Sequence, residues 1–248
     1  MADFDELAHL FERFAEDTRG LFQPWLEEHL HEGGRAVDLG CGYGRFTGLL
    51  AARYEEVLAI DVAAREIEMA RARNTLPNVV YRQQALADLV PERDGRFDLV
   101  LAVNTLHHAG DHREVLPHVR SLVAPGGHAL LVDIVDTAPA GARATREWHE
   151  SHAFQDAHDS YTNPRRSRSP DAAADILRLR LHPAWLAMVT RSPRLTRREY
   201  HQAYGAVFPG ARFDDDIHTV ACAMRWIRPV APGPAGPAHD TADGISRT

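Results

Sequence analysis

"VDLGCGYGRF", residues 37–46, runs from an aliphatic stretch through three glycines spaced two apart into a segment of helical character. Glycine omits a side chain where something must come close to the backbone, and it opens turns that other residues resist. Such a stretch marks the crossover from a strand to a helix in a parallel sheet, where ligands meet the carboxyl ends of the strands. The N–H groups of the loop and the start of the helix would offer partial positive charge there, so a nucleotide-like cofactor is expected. The spacing narrows the choice. Gly40, Gly42 and Gly44 give G-x-G-x-G, with Arg45 where a dinucleotide fingerprint has its third glycine, and the G-K-[ST] of a phosphate loop is absent. Asp38, two residues before the first glycine, would repel a pyrophosphate and suits a cofactor that carries positive charge.

Outward from this stretch the chain alternates. Short apolar runs at 35–40, 56–61, 78–84, 97–104 and 128–135 predict strands; the segments at 44–53, 63–74 and 112–123 predict helices. Pro117 implies a kink or a helix start near Leu116. The strands are continuous apolar runs, which indicates a parallel sheet covered on both faces, an α/β doubly wound fold. Upstream, the spacing of Phe4, Leu7, Leu10, Phe11 and Phe14 predicts a helix over 4–18, and a second is expected over 21–31 with Pro24 in its first turn. Thr196 and Glu199 form a capping box that opens a helix over 195–208, and 211–227 reads as two strands around a turn near Asp216. The expected organisation is N-terminal helices over 1–32, a core over 33–136, a substrate-side insertion or cap over 137–195, the end of the core with the last two strands over 196–228, and a disordered Pro/Gly/Ala-rich tail over 229–248.

Composition excludes several classes. The 248 residues carry a net charge of -7 and are 44% hydrophobic, which disfavours general nucleic-acid affinity and is ordinary for a soluble domain. All 28 basic residues are arginine, a mark of high-GC coding. Cys41 and Cys222 are the only cysteines; they suggest neither a metal site nor a disulfide framework, and a reducing cytoplasm is the expected compartment. The acidic, amphipathic N-terminus is unlike a signal peptide, and no run approaches the roughly 18 apolar residues of a membrane helix.

Four blocks in order, "VDLGCGYGRF", "AID" at 59–61, "FDLVLAVNTLHH" at 97–108 and "LVAPGGHALLVDI" at 122–134, resemble class I S-adenosylmethionine-dependent methyltransferases, in particular the small-molecule branch similar to ubiquinone and menaquinone biosynthesis enzymes. The resemblance covers about residues 30–135. It implies a Rossmann-like, mostly parallel seven-stranded sheet with helices on both faces, and S-adenosylmethionine as cofactor. It places Asp38 and the backbone of Gly40, Cys41 and Gly42 against the methionine moiety, Asp61 on the ribose hydroxyls, Val62 on the adenine, and the backbone near Asn104 on the ammonium. One block departs from the family: an acid that usually meets the adenine amino group is replaced at Gln84 or Ala85, and Asp88 follows three or four residues late.

His107 and His108 stand at the carboxyl edge of a predicted strand, where a histidine could take a proton from an acceptor hydroxyl as methyl transfer proceeds; packing, or orienting a neighbour, is the alternative. In the insertion, His149, His152 and His158 with Asp156 and Asp159 have no defensible metal spacing and fit a substrate-facing lid or a solvated surface. Trp148, Phe154 and Tyr161 fit either a pocket wall or a core. Between 164 and 198, nine arginines face two acids, a local charge of +7 that leaves -14 on the rest. Solvated helix faces and an anionic partner both account for it. The leading expectation is methyl transfer to a small-molecule oxygen or carbon, with no membrane or metal and with nucleic acid disfavoured. The alternatives are an RNA or protein methyltransferase docking through the arginine-rich insertion, and a non-catalytic module that holds the adenosyl cofactor.

Overall fold

A computed structural model of the chain describes residues 2–137, 145–166, 168–191 and 194–230. Its strands are β1 (Gly33–Leu39), β2 (Tyr54–Asp61), β3 (Val79–Gln83), β4 (Phe97–Val103), β5 (Val123–Ile134), β6 (Arg212–His218) and β7 (Ala221–Ile227). They form one sheet in the order β3-β2-β1-β4-β5-β7-β6. β1 to β5 pair in parallel, and β7 runs antiparallel between β5 and β6. Sequence order reverses between β1 and β4, so the crevice of this α/β sheet opens at their carboxyl ends.

Alternate residues supply two cores. Val37, Leu39, Val100, Ala102 and Leu131 face one side; Ala36, Leu99, Leu101, Leu130 and Val132 face the other. The helices that cover them are α1 (Ala2–His29), α2 (Thr47–Ala51), α3 (Ala64–Arg73), α4 (Pro91–Asp94) and α5 (His112–Leu122), and after the insertion α9 (Arg197–Val207). In the insertion lie α6 (Arg146–Thr162), α7 (Pro170–Arg180) and α8 (Pro183–Arg191). The capping box is present: Thr196 Oγ1 accepts from the Glu199 N–H, and Glu199 Oε2 accepts from the Thr196 N–H at 2.8 Å.

Four local expectations are corrected. The two N-terminal helices are one, with Pro24 inside it. Burial of Leu7, Phe14, Leu21, Phe22 and Leu26 along its length outweighs the one hydrogen bond that proline removes; the side chain of Phe4 lies outside the described residues. The first helix after the glycines is five residues long, because the turn continues to Phe46. α5 begins at His112, capped by Asp111, whose side chain accepts from the Arg113 N–H, and it runs through Pro117 because Val115, Leu116, Val119 and Leu122 are buried. Asp216 lies within β6, and the hairpin turns at Thr219 and Val220. The acids of β6 are tolerated because it is an edge strand and they find donors: Asp214 Oδ2 accepts from Trp25 Nε1 at 3.0 Å, and Asp215 Oδ1 from Arg197 Nη1 at 2.9 Å. The expected disordered tail lies, from residue 231 on, outside the described residues.

α1 and the insertion share a smaller core of Leu7, Phe14, Ala157, Ile176, Leu179, Trp185, Met188 and Val189. Much of the arginine excess is spent on it. Arg166 Nε lies 3.1 Å from Asp17 Oδ2, which also accepts from Ser160 Oγ at 2.8 Å, and all three side chains are buried. Arg180 Nε donates to Asp156 Oδ2 at 2.7 Å, and Arg178 Nη1 lies 2.6 Å from Asp175 Oδ1. No described helix is long and apolar enough to cross a membrane. Removing one member of a buried pair strands its partner, at a cost of about 3–5 kcal/mol. Asp17→Ala is therefore expected to lower the urea midpoint by that equivalent, and Asp17→Ala with Arg166→Met to recover more than half of the loss.

Candidate active site

A cavity of about 380 Å³ opens at the carboxyl ends of β1, β2, β4 and β5. It brings together Asp38, Gly40, Cys41, Gly42, Asp61, Val62, Gln84, Ala85, Asn104, His107 and His108. The glycine loop does not work as first expected. Gly40, Gly42 and Gly44 all have positive φ, at 68°, 53° and 83°. The N–H groups of Gly40 and Cys41 both donate to Ile60 O, at 2.8 and 2.9 Å, and that of Gly44 to Cys41 O at 3.0 Å. The Gly42 N–H donates to Asp61 Oδ2 at 2.9 Å. Four of the loop's N–H groups are thus taken up within the protein, and the five-residue α2 adds no anion site. A Cβ on Gly40 would lie 2.3 Å from Thr105 Cγ2, whereas one on Gly42 would meet nothing nearer than Glu66 Oε2 at 3.5 Å. Protein packs against the first glycine, and the second is left open.

Asp61 is placed by backbone N–H groups and Asp38 by a side-chain hydroxyl. Asp61 ends β2 and accepts from the N–H of Gly42 and, at 2.9 Å, of Ala63. Asp38 is 3% exposed and accepts from Thr47 Oγ1 at 2.8 Å. Burial pushes its carboxyl up to about 7; the Thr47 hydrogen bond opposes this and the charge of Asp61 adds to it. Several buried polar atoms on the cavity wall have no hydrogen-bond partner in the protein: Gln84 Nε2, Asn104 Oδ1, and Nε and Nη2 of Arg45, whose guanidinium lies 4.5 Å from the Phe46 ring centroid. Gln84 stands where the family's acid is missing. Its Oε1 accepts from Arg82 Nη1 at 3.2 Å, and its amide N–H is the group left over. Asn104 adopts φ 56° directly after β4, a conformation that asparagine tolerates.

The two histidines differ. Asp133, buried in β5, receives the His107 N–H on Oδ2 at 2.9 Å and touches His107 Nδ1 with Oδ1. Tyr204 Oη donates to Asp133 Oδ2 at 3.4 Å. The carboxylate thus holds the proton on Nδ1 and leaves Nε2 as the basic nitrogen. The His108 ring lies 3.9 Å from that of His107, and burial first, then His107 and Arg194, holds its pKa down at about 2. Sequence reasoning missed Asp133, although it stands in the quoted block "LLVDI"; it also missed Phe11 and Phe14 of α1, Trp185 of α8 and Arg194, all of which line the cavity. Within the insertion, Phe154 and Tyr161 are 63% and 52% exposed and lie off the cavity; Trp148 stacks on His152 at 3.7 Å.

Residues 37–131 match the family described as methyltransferase domain. The match lies within the sheet core and covers less than half of the chain. The chain is 34% identical over 147 residues to a ubiquinone biosynthesis O-methyltransferase of Azotobacter vinelandii, covering 54% of this chain and 62% of that one. It is 37% identical over 137 residues to a trans-aconitate 2-methyltransferase of Methylobacterium nodulans, covering 55% and 51%. The chain thus spans about half to three fifths of the length of these curated relatives. Among solved structures, the fold resembles DhpI in complex with S-adenosylhomocysteine (TM-score 0.52, 23% identity, 94% of this chain and 100% of that one). It also resembles the methyltransferase in a complex with the Haloferax volcanii Trm112 activator (TM-score 0.63, 15% identity, 91% and 97%).

The loop geometry separates two glycine replacements. Positive φ alone costs a non-glycine residue about 1–2 kcal/mol, and overpacking adds about 1–3. Gly40→Ala is expected to destabilise the fold by about 2–5 kcal/mol in denaturant titrations and Gly42→Ala by no more than about 2; equal losses would refute the packing of Thr105 on Gly40.

Proposed function

We propose that the chain is an S-adenosylmethionine-dependent methyltransferase whose acceptor is a hydroxyl oxygen of a small molecule. The observation that carries this reading is the His107–Asp133 pair, set in the same cavity as the glycine loop and Asp61. The unpartnered wall atoms fit the cofactor. Asp61 can take a diol on its remaining lone pairs. Gln84 Nε2 can donate to a ring nitrogen of the adenine, and Val62 and Ala85 give that base an apolar wall. Asn104 Oδ1 and Asp38 suit an ammonium group, and the Arg45 nitrogens suit a carboxylate. When bound, the cofactor supplies an electrophilic methyl group on a sulfonium.

His107 Nε2 accepts the hydroxyl proton as the acceptor oxygen gains its methyl group, and Asp133 stabilises the charged ring that results. His108 stays neutral beside it. The lid formed by α1 and α8 excludes water from the step. The reading of a nucleic-acid docking face loses ground because Arg166, Arg178, Arg180 and Arg197 are engaged in ion pairs within the chain.

His107→Asn is expected to lower kcat by about 10²–10⁴ with little change in S-adenosylhomocysteine affinity. Asp133→Asn is expected to lower it comparably, because a carboxamide no longer fixes the Nδ1–H form. Turnover of both variants at the wild-type rate would overturn the base assignment.

Asp38 gives a pH signature. With its folded pKa near 7, the carboxyl is protonated below that pH and ionised above it. A cationic ligand group favours the ionised form, so calorimetric affinity for S-adenosylhomocysteine is expected to rise as pH increases, by up to about tenfold per unit below pH 7, and to level off above it. The stability of the ligand-free protein runs the other way. The folded state holds the Asp38 proton more tightly than the unfolded chain, so this contribution is full at low pH and is lost as pH rises through 7.

A further inference from the structure

Helix α1 has two unlike halves. Leu21, Phe22 and Leu26 belong to one of the sheet cores, whereas Leu7 and Phe14 pack with the insertion. Two weak points lie between the halves. Thr18 Oγ1 donates to Phe14 O at 3.0 Å, a back-bond of the kind that bends helices. Gly20 adds backbone freedom in the helix interior, and Arg165 O fills the place of its missing Cβ.

The N-terminal half lines the cavity with Phe11, Phe14 and Ala15. The same half reaches the glycine loop and α3 through polar groups. Tyr43 of the loop is buried, and its Oη donates to Glu16 Oε1 at 2.9 Å. Arg73, the last residue of α3, pairs with Glu12, and its Nη1 lies 4.0 Å from Glu16 Oε1. Its guanidinium also lies 4.9 Å from the Tyr43 ring centroid. Asn74 Nδ2 donates to Tyr43 O at 3.4 Å, which fixes the loop from the other side. Glu12, Glu16 and Arg73 stand off the cavity wall, so they act on a ligand only through Tyr43 and the helix itself.

We propose that the N-terminal half of α1 is a gate on the exchange of the adenosyl cofactor, with Glu12, Glu16, Tyr43 and Arg73 as its clasp. This rests on the methyltransferase reading and adds the control of that site. The half-helix swings about Thr18 and Gly20 while the residues from Leu21 onward stay in the sheet core. The clasp closes the empty cavity and the loaded one alike, so it slows entry and exit together and leaves the affinity almost unchanged. Such an opening is cheap because it parts a few polar contacts rather than the sheet. The Glu16 and Arg73 side chains are 44% and 43% exposed, so salt screens their attraction.

The test follows S-adenosylhomocysteine entering and leaving by stopped-flow tryptophan fluorescence, since Trp185 lines the cavity. Wild type is compared with Tyr43→Phe, with the paired variant Glu12→Gln and Glu16→Gln, and with Arg146→Gln. Tyr43→Phe keeps the buried ring and removes only the hydroxyl. It is expected to raise both rate constants about threefold or more, the effect of one lost hydrogen bond, while Kd stays within about twofold. The paired variant is expected to do the same. In wild type both rates are expected to rise between about 50 and 500 mM NaCl, and the paired variant to lose most of this salt dependence. Arg146→Gln breaks an exposed pair within α6 and is expected to change neither rate. Faster exit with unchanged entry, so that affinity falls in step, would make Tyr43 a support of the bound cofactor and overturn the gate. Unchanged rates in both clasp variants, or equal acceleration by Arg146→Gln, would overturn it too. Failure of wild type to bind S-adenosylhomocysteine would instead overturn the methyltransferase reading itself, and this inference with it.

Discussion

Thr105 occupies the space that a side chain on Gly40 would need, and the rest of the site depends on that contact. It presses the loop after β1 against the loop after β4, across the point where sheet order reverses. With the two loops so joined, Gly40 and Cys41 reach Ile60 O and Gly42 reaches Asp61, so β2 is tied into the same corner. A side chain at Gly40 would separate β1 from β4 where the cavity begins. The loop is thus a joint between three strands before it is a surface for a ligand. The N–H groups of Gly40, Cys41 and Gly42 are taken up by that joint.

The sheet was legible because its strands are continuous apolar runs ending at acids or glycines. Asp38 and Asp61 could be placed from sequence, since strand ends in a parallel sheet converge on one edge. What stayed hidden was set by contacts distant in sequence. Nothing local to Pro24 shows that α1 continues through it; burial of Leu21, Phe22 and Leu26 decides that. Asp133 reads as one more strand residue until β5 lies beside β4 and places it under His107. Gln84 could be seen as the departure from the family pattern, but not that Arg82, two residues back, takes its carbonyl oxygen.

The arginine-rich insertion shows how composition misleads when partners are far apart. Counted along the chain, 164–198 is a basic patch. In space Arg166 meets Asp17, 149 positions earlier, and Arg197 meets Asp215. The local positive charge and the acidity of the remaining chain are two halves of one set of ion pairs. His201, Asp215 and Cys222 have ligand atoms within 4.8 Å of one another. The Arg197 guanidinium, 2.9 Å from Asp215 Oδ1 and 3.3 Å from Cys222 Sγ, supplies the positive charge at that place.

Buried pairs of this kind set register more than they add stability, because desolvation offsets most of the attraction. Their placement between α1 and the insertion is therefore informative. The apolar cluster that joins these helices is smaller than either sheet core, so separating them breaks fewer apolar contacts than opening the sheet, and low-cost local opening is where ligand access is found. The ion pairs favour one alignment of α1 with the insertion, since Asp17 of α1 faces Arg166 and Ser160, and Arg13 of α1 lies 2.5 Å from Asp175 of α7. Phe11, Phe14 and Trp185 reach the cavity from the same helices. On the function proposed above, a closure defined by charge and lined by aromatic rings would admit an acceptor when the pairs part and hold it dry, against His107, when they re-form.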